Sequence, residues 1–411
     1  MQLFDFQVVW RRIPDKAWGW GVLLTFVLMA IIQGCASAPK RNPLPQNLSA
    51  EAKVPGYSEF IRFWGDGPPP YMHEWYTASE TEIEHFFPDI VGREQVYLAI
   101  SGGGDNGAYG VGILRGWTAA GTRPEFALVT GISTGAIIAP FAFLGPKYDG
   151  RLKEAYTSMR TKDIVKMRGA LATLRSDAAG DTAPLKAHIA KYVDQEMIDA
   201  IAREHRRGRR LFIGTTNLDA MRPVLWNIGE IAASGNPDAG DLIRTIMLAS
   251  ASIPAVFPPQ YIPVEAGGQR YDEIHVDGGT IAQAFLYPMG VDWPIILKQL
   301  KVKGKPRGYI IRNSRLAPDW VSVDPPKTLM IAGRAASAMI RSQGIGDLYR
   351  MYLASLRDGL GYYWTAIPDD FDVKPKEMFD PEYMQQLMEV GYRRAKSGET
   401  WKTEPPRYKI K

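Results

Sequence analysis

Cysteine is nearly absent from this chain of 411 residues, which contains one cysteine, Cys35, and five histidines. One cysteine cannot form an intramolecular disulfide, so the fold has to be stabilised by its hydrophobic core. The histidines are scattered, and no group of cysteine and histidine has the spacing of zinc ligands. The sequence therefore predicts neither a disulfide-stabilised domain nor a metal site.

A strong excess of charge of one sign is also lacking. The formal net charge is +5 and is spread too diffusely for a nucleic-acid footprint, which would need clustering on one face. The composition, 45% hydrophobic and 23% charged, is ordinary for a globular protein. The length is enough for one large or two ordinary domains, and no nucleic-acid partner is expected.

The apolar run near the N-terminus is too short for a comfortable membrane span. It covers residues 21–32 and follows three basic residues at positions 11–16. A basic leader before a short apolar stretch is typical of an export signal. The run leads into Gly34-Cys35, which resembles the bacterial lipoprotein box, in which a small residue precedes a cysteine that becomes lipidated.

We therefore expect residues 1–34 to be a lipoprotein-type signal peptide and Cys35 to carry the lipid. Ala36 would favour transfer onward, so the expected location is the bacterial cell envelope, lipid-anchored at the outer membrane and facing the periplasm. The alternative is an uncleaved anchor with a free Cys35. Residues 35–94 are expected to form a tether and an N-terminal extension, because they begin polar and contain prolines.

A strand, a tight turn and a helix are predicted in succession within residues 126–144. Residues 126–130 are apolar and predict a buried strand, and the uncharged apolar run after Gly135 predicts a buried helix. Between them lies Gly131-Ile132-Ser133-Thr134-Gly135, a G-x-S-x-G pentapeptide in the context that a nucleophile elbow requires. The helix N-terminus favours negative charge beside the serine. The pattern predicts Ser133 as a nucleophile; the alternative is a chance match.

A glycine loop follows the preceding predicted strand, residues 96–101. Gly102, Gly103, Gly104 and Gly107 lie between that strand and a predicted helix, where backbone N–H groups can bind an anion. Their spacing also fits a dinucleotide fold, but such a site needs an acidic residue at the end of the next strand. Glu125 begins that strand instead, and Ser133 follows it. This favours an oxyanion rather than a pyrophosphate as the bound group.

A candidate base follows another predicted strand. His275 and Asp277 share a strand face because side chains alternate, and Asp277 lies at the strand's end, before Gly278 and Gly279. Asp277 is the first candidate for a general base, and His275 is the alternative, as base or as orienting group.

Three motifs in order resemble the patatin-like phospholipase family: GGGDNG at 102–107, GISTG at 131–135 and DGG at 277–279. The resemblance covers roughly residues 95–290. It implies a Ser–Asp dyad with Ser133 as nucleophile and Asp277 as general base, and no cofactor. It further implies an oxyanion hole made by backbone N–H groups, and glycines that support the motifs. The oxyanion-hole glycines are Gly102, Gly103 and Gly104, and the supporting ones are Gly107, Gly131, Gly135, Gly278 and Gly279.

One departure from the family pattern is Asn106, where many members carry Arg or Lys. Asp105 beside it makes the loop less cationic still, which could alter headgroup preference or weaken an anion contact. It leaves the N–H donors in place.

The resemblance also implies the architecture and the activity. We expect an α/β fold of three layers, with a parallel-rich central sheet flanked by helices. The catalytic core would span residues 95–315, and a helical C-terminal extension, residues 316–411, would pack on it. The implied activity is that of a serine lipid acyl hydrolase, phospholipase A-like, which forms an acyl-enzyme. The expected partners are membrane phospholipid or another acyl-ester lipid, and the membrane surface through the lipid anchor.

Three alternatives stay open from the sequence. The first is a short-chain esterase or thioesterase with the same nucleophile. The second is a non-catalytic envelope lipoprotein that keeps the fold as a scaffold. The third is a nucleotide-binding oxidoreductase that uses the glycine loop.

Overall fold

The computed structural model describes residues 41–169, 176–288, 290–318 and 320–407. The predicted signal peptide, residues 1–34, and the predicted lipidation site, Cys35, lie outside the described residues. None of the helices in the described ranges is long and apolar enough to cross a membrane.

The strands of the described chain form one large mixed sheet and one small two-stranded sheet. Their bounds are β1 (Arg62–Trp64), β2 (Val96–Ile100), β3 (Leu128–Ile132), β4 (Lys166–Met167), β5 (Gly180–Asp181), β6 (Arg210–Asn217), β7 (Arg222–Asn227), β8 (Gln260–Ala266), β9 (Gln269–Asp277), β10 (Arg307–Arg315) and β11 (Gly361–Ile367). The large sheet has the order β1-β7-β6-β3-β2-β10-β11, with β9 paired to β6 and β8 to β9. The small sheet pairs β4 with β5.

The centre of the large sheet is parallel. Strands β6, β3, β2, β10 and β11 run in the same direction, and β7, β1, β9 and β8 are antiparallel to their neighbours. Every residue of β2 and of β3 is buried, which agrees with the continuous apolar runs in the sequence. The expected α/β fold with a parallel-rich central sheet flanked by helices is confirmed.

The helices cover both faces of this sheet. Their bounds are α1 (Met72–Thr77), α2 (Glu80–Phe86), α3 (Gly107–Ala119), α4 (Thr134–Leu144), α5 (Asp149–Thr157), α6 (Thr161–Ile164), α7 (Ala183–Tyr192), α8 (Gln195–Arg206), α9 (Ile228–Ala233), α10 (Ala239–Ser250), α11 (Trp293–Gln299), α12 (Thr328–Arg357) and α13 (Pro381–Ser397). Helices α3 and α4 begin directly beyond the carboxyl ends of β2 and β3, where the glycine loop and the serine turn lie.

The C-terminal region contributes more than helices. Strand β10 lies in the large sheet between β2 and β11, and the last helix begins with the Asp380 side chain accepting N–H groups of its first turn. The expected helical extension omitted β11, whose sequence GYYWTAI is aromatic and suited to a strand and which extends the sheet parallel to β10. The division into domains at residue 315 stays a prediction.

Helices α3 and α13 approach each other closely, because glycines lie where they meet. A Cβ atom built on Gly112 would lie 2.0 Å from the carbonyl oxygen of Met388, and one on Gly391 would lie 2.4 Å from that of Tyr109. No side chain fits between backbones at this separation. The contact therefore depends on the absence of a Cβ atom at these positions, and it joins the C-terminal helix to the helix that follows the glycine loop.

We predict that Gly112→Ala lowers the free energy of unfolding by roughly 1–3 kcal/mol, since the added methyl group forces α3 and α13 apart. Denaturant unfolding measures the change. The control is Gly346→Ala in α12, where a Cβ atom would meet no atom within 4 Å. The control should be neutral or stabilising by up to about 1 kcal/mol. Equal stability of the two variants would show that the helices do not depend on this contact.

Candidate active site

Ser133 lies on a strained turn between β3 and α4. Its backbone has φ 56° and ψ −123°, a combination that residues with a side chain rarely adopt. The Ser133 N–H donates to the Ser250 hydroxyl at 3.0 Å, and that hydroxyl donates to the Gly214 carbonyl at 2.7 Å. These bonds hold the turn in place against its strain. The side chain is buried at the floor of a cavity rather than displayed on an open surface.

Two glycines on either side of Ser133 have no room for a side chain. A Cβ atom on Gly135 would lie 2.1 Å from the carbonyl oxygen of Ile100, and one on Gly131 would lie 2.4 Å from that of Gly135. The turn therefore packs its backbone directly against the neighbouring strand. This close packing brings Ser133 beside the loop that follows β2.

That loop passes next to the serine side chain. A Cβ atom on Gly102 would lie 3.7 Å from the Ser133 Oγ atom, and Gly103 and Gly104 adopt φ values of 154° and 58°. The Gly102 N–H, however, donates to the Gln283 carbonyl at 3.2 Å. The N–H groups of Gly103 and Gly104 have no hydrogen-bond partner among the described residues. The sequence predicted three N–H donors for an oxyanion. In this geometry two of them, at Gly103 and Gly104, have no other acceptor among the described residues.

Asp277 occupies the place beside β6 where β3 has ended. β9 pairs with β6 so that Asp277 faces Thr215 in the ladder, one residue beyond the last pair of β3 and β6. Its carboxylate accepts the N–H of Gly279 at 2.7 Å. Burial raises the pKa of Asp277 to about 6, although hydrogen bonds from the Ser133 side chain and the Gly279 N–H act to lower it. The carboxyl group is thus buried, lies beside Ser133 in the same cavity, and has a pKa nearer to neutral pH than that of an ordinary aspartate.

The glycines after Asp277 and the glycine that opens α3 are confined as well. A Cβ atom on Gly278 would lie 2.5 Å from the Gly214 carbonyl oxygen, and one on Gly279 would lie 2.9 Å from the Asp277 carboxylate. At Gly107 it would lie 2.3 Å from the Thr134 hydroxyl. Each of these glycines lets a backbone segment approach the serine turn or the carboxylate.

His275 does not face the serine, although it is on the same strand as Asp277. Its side chain is fully buried, with Nδ1 at 2.9 Å from the Thr215 hydroxyl and Nε2 at 3.0 Å from the Glu273 carboxylate. The Trp226 indole N–H donates to the same Thr215 hydroxyl at 2.8 Å. Both ring nitrogens therefore bond to groups other than Ser133, which leaves Asp277 as the base candidate that lines the cavity together with Ser133.

Glu273 completes this buried chain with Arg62 of β1, with which it forms an ion pair. Burial acts to raise its pKa, but Arg62 and His275 together lower it to about 2. Burial lowers the pKa of His275 in turn, which favours the neutral ring. Sequence reasoning missed this network; its one signal was an acidic residue two positions before His275 on the same strand face. The network fixes β9, and hence the end of β9 that carries Asp277.

The two polar side chains of the glycine loop are tied to the C-terminal region. The Asp105 carboxylate accepts the Phe379 N–H at 3.3 Å, and the Asn106 side chain accepts the hydroxyl of Tyr383 in α13. Asn106, which stands where many family members have a basic residue, thus joins the loop to α13. This contact was not predicted, because nothing in the sequence pairs position 106 with position 383.

A cavity of about 760 Å³ lies above Ser133 and Asp277. Its walls are mostly apolar, and they include Ile137, Leu185, Phe257, Met339 and Ile340. Phe257 lines the cavity, whereas Val256 is not among the lining residues. The contribution of α12 was missed. Within the described ranges, no group of three or more His, Cys, Asp or Glu residues could hold a metal ion.

A comparison with models of known protein families identifies the segment that contains the glycine loop, the serine turn and Asp277. The model of the patatin-like phospholipase family matches residues 98–288, from β2 to beyond the glycines after Asp277. The match identifies residues 98–288 as a patatin-like phospholipase domain. A domain of this family implies a lipid acyl hydrolase. The matched segment ends before β10, β11, α12 and α13.

A comparison with solved structures matches this chain to VipD from Legionella pneumophila. It is 12% identical, the alignment covers 76% of this chain and 68% of VipD, and the TM-score is 0.37. At this TM-score the likeness carries no functional information. A comparison with curated proteins found no match.

We predict that Asp277→Asn is more stable than the wild type at pH 8, by as much as about 3 kcal/mol, from the shift of its pKa to about 6. A carboxyl whose pKa is higher in the folded than in the unfolded chain holds its proton more tightly when folded. Between about pH 4 and pH 6 the unfolded chain has lost this proton while the folded chain keeps it, so the stability of the wild type falls as pH rises through this range. The difference between variant and wild type should grow from pH 4 to pH 6 and then stay constant, as measured by denaturant unfolding.

The matched control is Asp380→Asn at the start of α13. Backbone N–H groups lower the pKa of Asp380, so its ionised form stabilises the fold and its replacement should be destabilising as pH rises. A destabilised Asp277→Asn protein at pH 8, or a difference that does not change with pH, would contradict the raised pKa.

Proposed function

We propose that this protein is a serine lipid acyl hydrolase that cleaves fatty acyl esters of membrane lipids, with Ser133 as nucleophile and Asp277 as general base. The observation that carries the proposal is the buried Asp277 carboxyl group beside the Ser133 side chain, where both residues line the same apolar cavity. The patatin-like phospholipase domain supports the substrate class.

The first half of the reaction forms an acyl-enzyme. Ser133 Oγ attacks the ester carbonyl carbon while its proton passes to the Asp277 carboxylate. The carbonyl oxygen becomes an oxyanion, and the unoccupied N–H groups of Gly103 and Gly104 are its donors beside the N-terminus of α3. When the intermediate collapses, the bond to the alcohol oxygen breaks. The lysolipid leaves with the proton from Asp277.

The second half releases the fatty acid. Asp277, again ionised, takes a proton from a water molecule, and the water oxygen attacks the acyl carbon. The Ser133 oxygen leaves with the proton from Asp277, and the products are the fatty acid and the free enzyme. The dyad thus transfers one proton in each direction in each half-reaction.

The raised pKa is what makes this carboxylate a useful base. An ordinary aspartate has a pKa near ~3.9 and is a weak base at neutral pH. A pKa of about 6 lies close to the operating range while leaving the group ionised at pH 7. The two free donors supply the other main contribution, since loss of one oxyanion donor typically costs about 10²–10³ in rate.

The cavity favours an acyl chain over a nucleotide. Its volume of about 760 Å³ and its apolar walls suit a hydrocarbon chain. The alternative of a dinucleotide site needs an acidic residue at the carboxyl end of β3. Glu125 instead precedes β3 and contacts Arg207 at 3.4 Å on the opposite edge of the sheet. Ser133, and not an acidic residue, lies at the strand end where a dinucleotide site would need a carboxylate for the ribose.

We predict that wild-type protein releases fatty acid from mixed phospholipid vesicles and that Ser133→Ala releases none. The assay follows fatty-acid release from vesicles and from a soluble short-chain ester, with the full-length chain. Ser252→Ala is the matched control, because its hydroxyl bonds to the Leu248 carbonyl and it does not line the cavity. It should keep most of the activity.

The outcomes separate the alternatives. Serine-dependent release from vesicles supports the lipid acyl hydrolase. Cleavage of the soluble ester alone would replace it with a short-chain esterase or thioesterase. No cleavage of either substrate by a folded protein would make the non-catalytic scaffold the better account.

A further inference from the structure

Large apolar side chains are exposed beside the mouth of the cavity. They belong to the first half of α12 and to the segment before it, and we call them the α12 surface. Its members and their exposed fractions are Trp320 98%, Val321 59%, Met330 45%, Ile331 50%, Met339 67% and Ile340 46%. Exposed apolar side chains of this size, grouped in one segment of the chain, indicate a surface that binds a partner molecule or a membrane.

The two halves of α12 differ in what they contact. The second half buries Leu348, Met351 and Ala354 in a cluster with Tyr97 of β2 and Trp364 of β11. Its backbone also accepts the Tyr362 hydroxyl at Leu348. The first half extends from this anchored part and leaves its apolar side chains exposed. The fold therefore holds the helix firmly at one end and presents the other end to the surroundings.

The α12 surface is continuous with the candidate active site. Met339 and Ile340 are exposed and also line the cavity above Ser133, together with Ala336 and Gln343. Trp320 and Val321 follow β10 beyond its carboxyl end, which is the same edge of the sheet that carries Ser133. A ligand lying on this surface would cover the cavity mouth.

The charge of this region is weakly positive. Residues 320–346 contain three cations, Lys327, Arg334 and Arg341, against Asp324. Arg341 donates from Nε to the Leu316 carbonyl at 3.0 Å, which ties the helix to the segment after β10. The N-terminus of α12 adds partial positive charge. An excess of cations beside exposed apolar side chains matches an anionic lipid surface.

We propose that the α12 surface docks on an anionic phospholipid bilayer and turns the cavity mouth toward the lipid. The exposed apolar side chains would enter the headgroup region, with Trp320 at the interface that tryptophan favours. An acyl chain could then pass into the cavity without crossing water. The identification of phospholipid as the substrate rests on the proposed function, whereas the docking of the α12 surface on a bilayer does not.

The N-terminal end of the described chain is consistent with this orientation. Arg41 forms an ion pair with Asp219, which follows β6 at its carboxyl end, and Pro43 bridges Asp272 of β9. The part of β9 that precedes His275 extends beyond the carboxyl end of β6. The described chain therefore begins on the same side of the sheet as the cavity mouth, where a lipid on Cys35 would hold the same membrane. A second copy of the chain fits less well, because two cationic faces would repel each other.

Hydrogen–deuterium exchange on the full-length Ser133→Ala protein tests the docking without any turnover. Vesicles of phosphatidylglycerol and phosphatidylcholine should slow amide exchange in residues 328–343, and vesicles of phosphatidylcholine alone should slow it less. Unchanged exchange there, in protein that is bound to the vesicles, would overturn the proposal. Protection that appears without vesicles and grows with protein concentration would assign the surface to a second copy instead.

Activity of the triple variant Trp320→Ser, Met330→Ser, Ile331→Ser gives a second test, since none of these residues lines the cavity. Hydrolysis of anionic vesicles should fall about tenfold, and hydrolysis of the soluble ester should not change. The control is Leu353→Ser, Leu356→Ser in the second half of α12, where each leucine is 59% exposed. An equal loss in the control would overturn the proposal. A wild type inactive on both substrates would refute the proposed function and leave the exchange test valid.

Discussion

The juxtaposition of Ser133 and the buried Asp277 carboxyl group is the constraint on which the rest of the site depends. It exists because β3 stops at Ile132 while β6 continues to Asn217, which leaves a free ladder edge beyond the end of β3. β9 fills that edge from the opposite direction and brings Asp277 beside Thr215. The proposed nucleophile and the proposed base thus come from two strands that meet end to end on one neighbour.

Keeping these two groups in place costs stability, and the surroundings offset that cost. Ser133 has a strained backbone, and Asp277 is a carboxylate removed from water. The Ser250 hydroxyl holds the serine turn, and the buried chain from Trp226 through His275 and Glu273 to Arg62 holds β9. The same burial that destabilises the ionised aspartate raises its pKa into a useful range. Stability and base strength are therefore opposed at this one residue.

The sequence predicted the parts of the site that depend on local geometry. Ser133 could be located from the apolar runs on either side of it, and Asp277 from its position at the end of an alternating strand before two glycines. The occupation of the Gly102 N–H could not be predicted, because its partner is a carbonyl at position 283 in a distant loop. The contact between His275 Nδ1 and the Thr215 hydroxyl could not be predicted either, since Thr215 lies on another strand, β6.

The C-terminal region was the hardest part to predict. One helix, α12, runs through Gly344 and Gly346. A glycine inside a helix costs only about 1 kcal/mol, which the buried second half of α12 can offset. The strand β11 was missed although its aromatic sequence suits a strand, because its place in the sheet is fixed by its partner, β10. These same elements provide the outer wall of the cavity, so the shape of the site could not be read from the sequence.

The most direct test of the dyad is the rate at which a lipid-like phosphonate labels Ser133, measured as a function of pH. Labelling needs the nucleophile and its base but not deacylation or product release. The account predicts a rate that rises to half its maximum near pH 6, where Asp277 ionises, and that is lost in Asp277→Asn. Labelling at the wild-type rate in Asp277→Asn, or a rate with no titration near pH 6, would contradict Asp277 as the base.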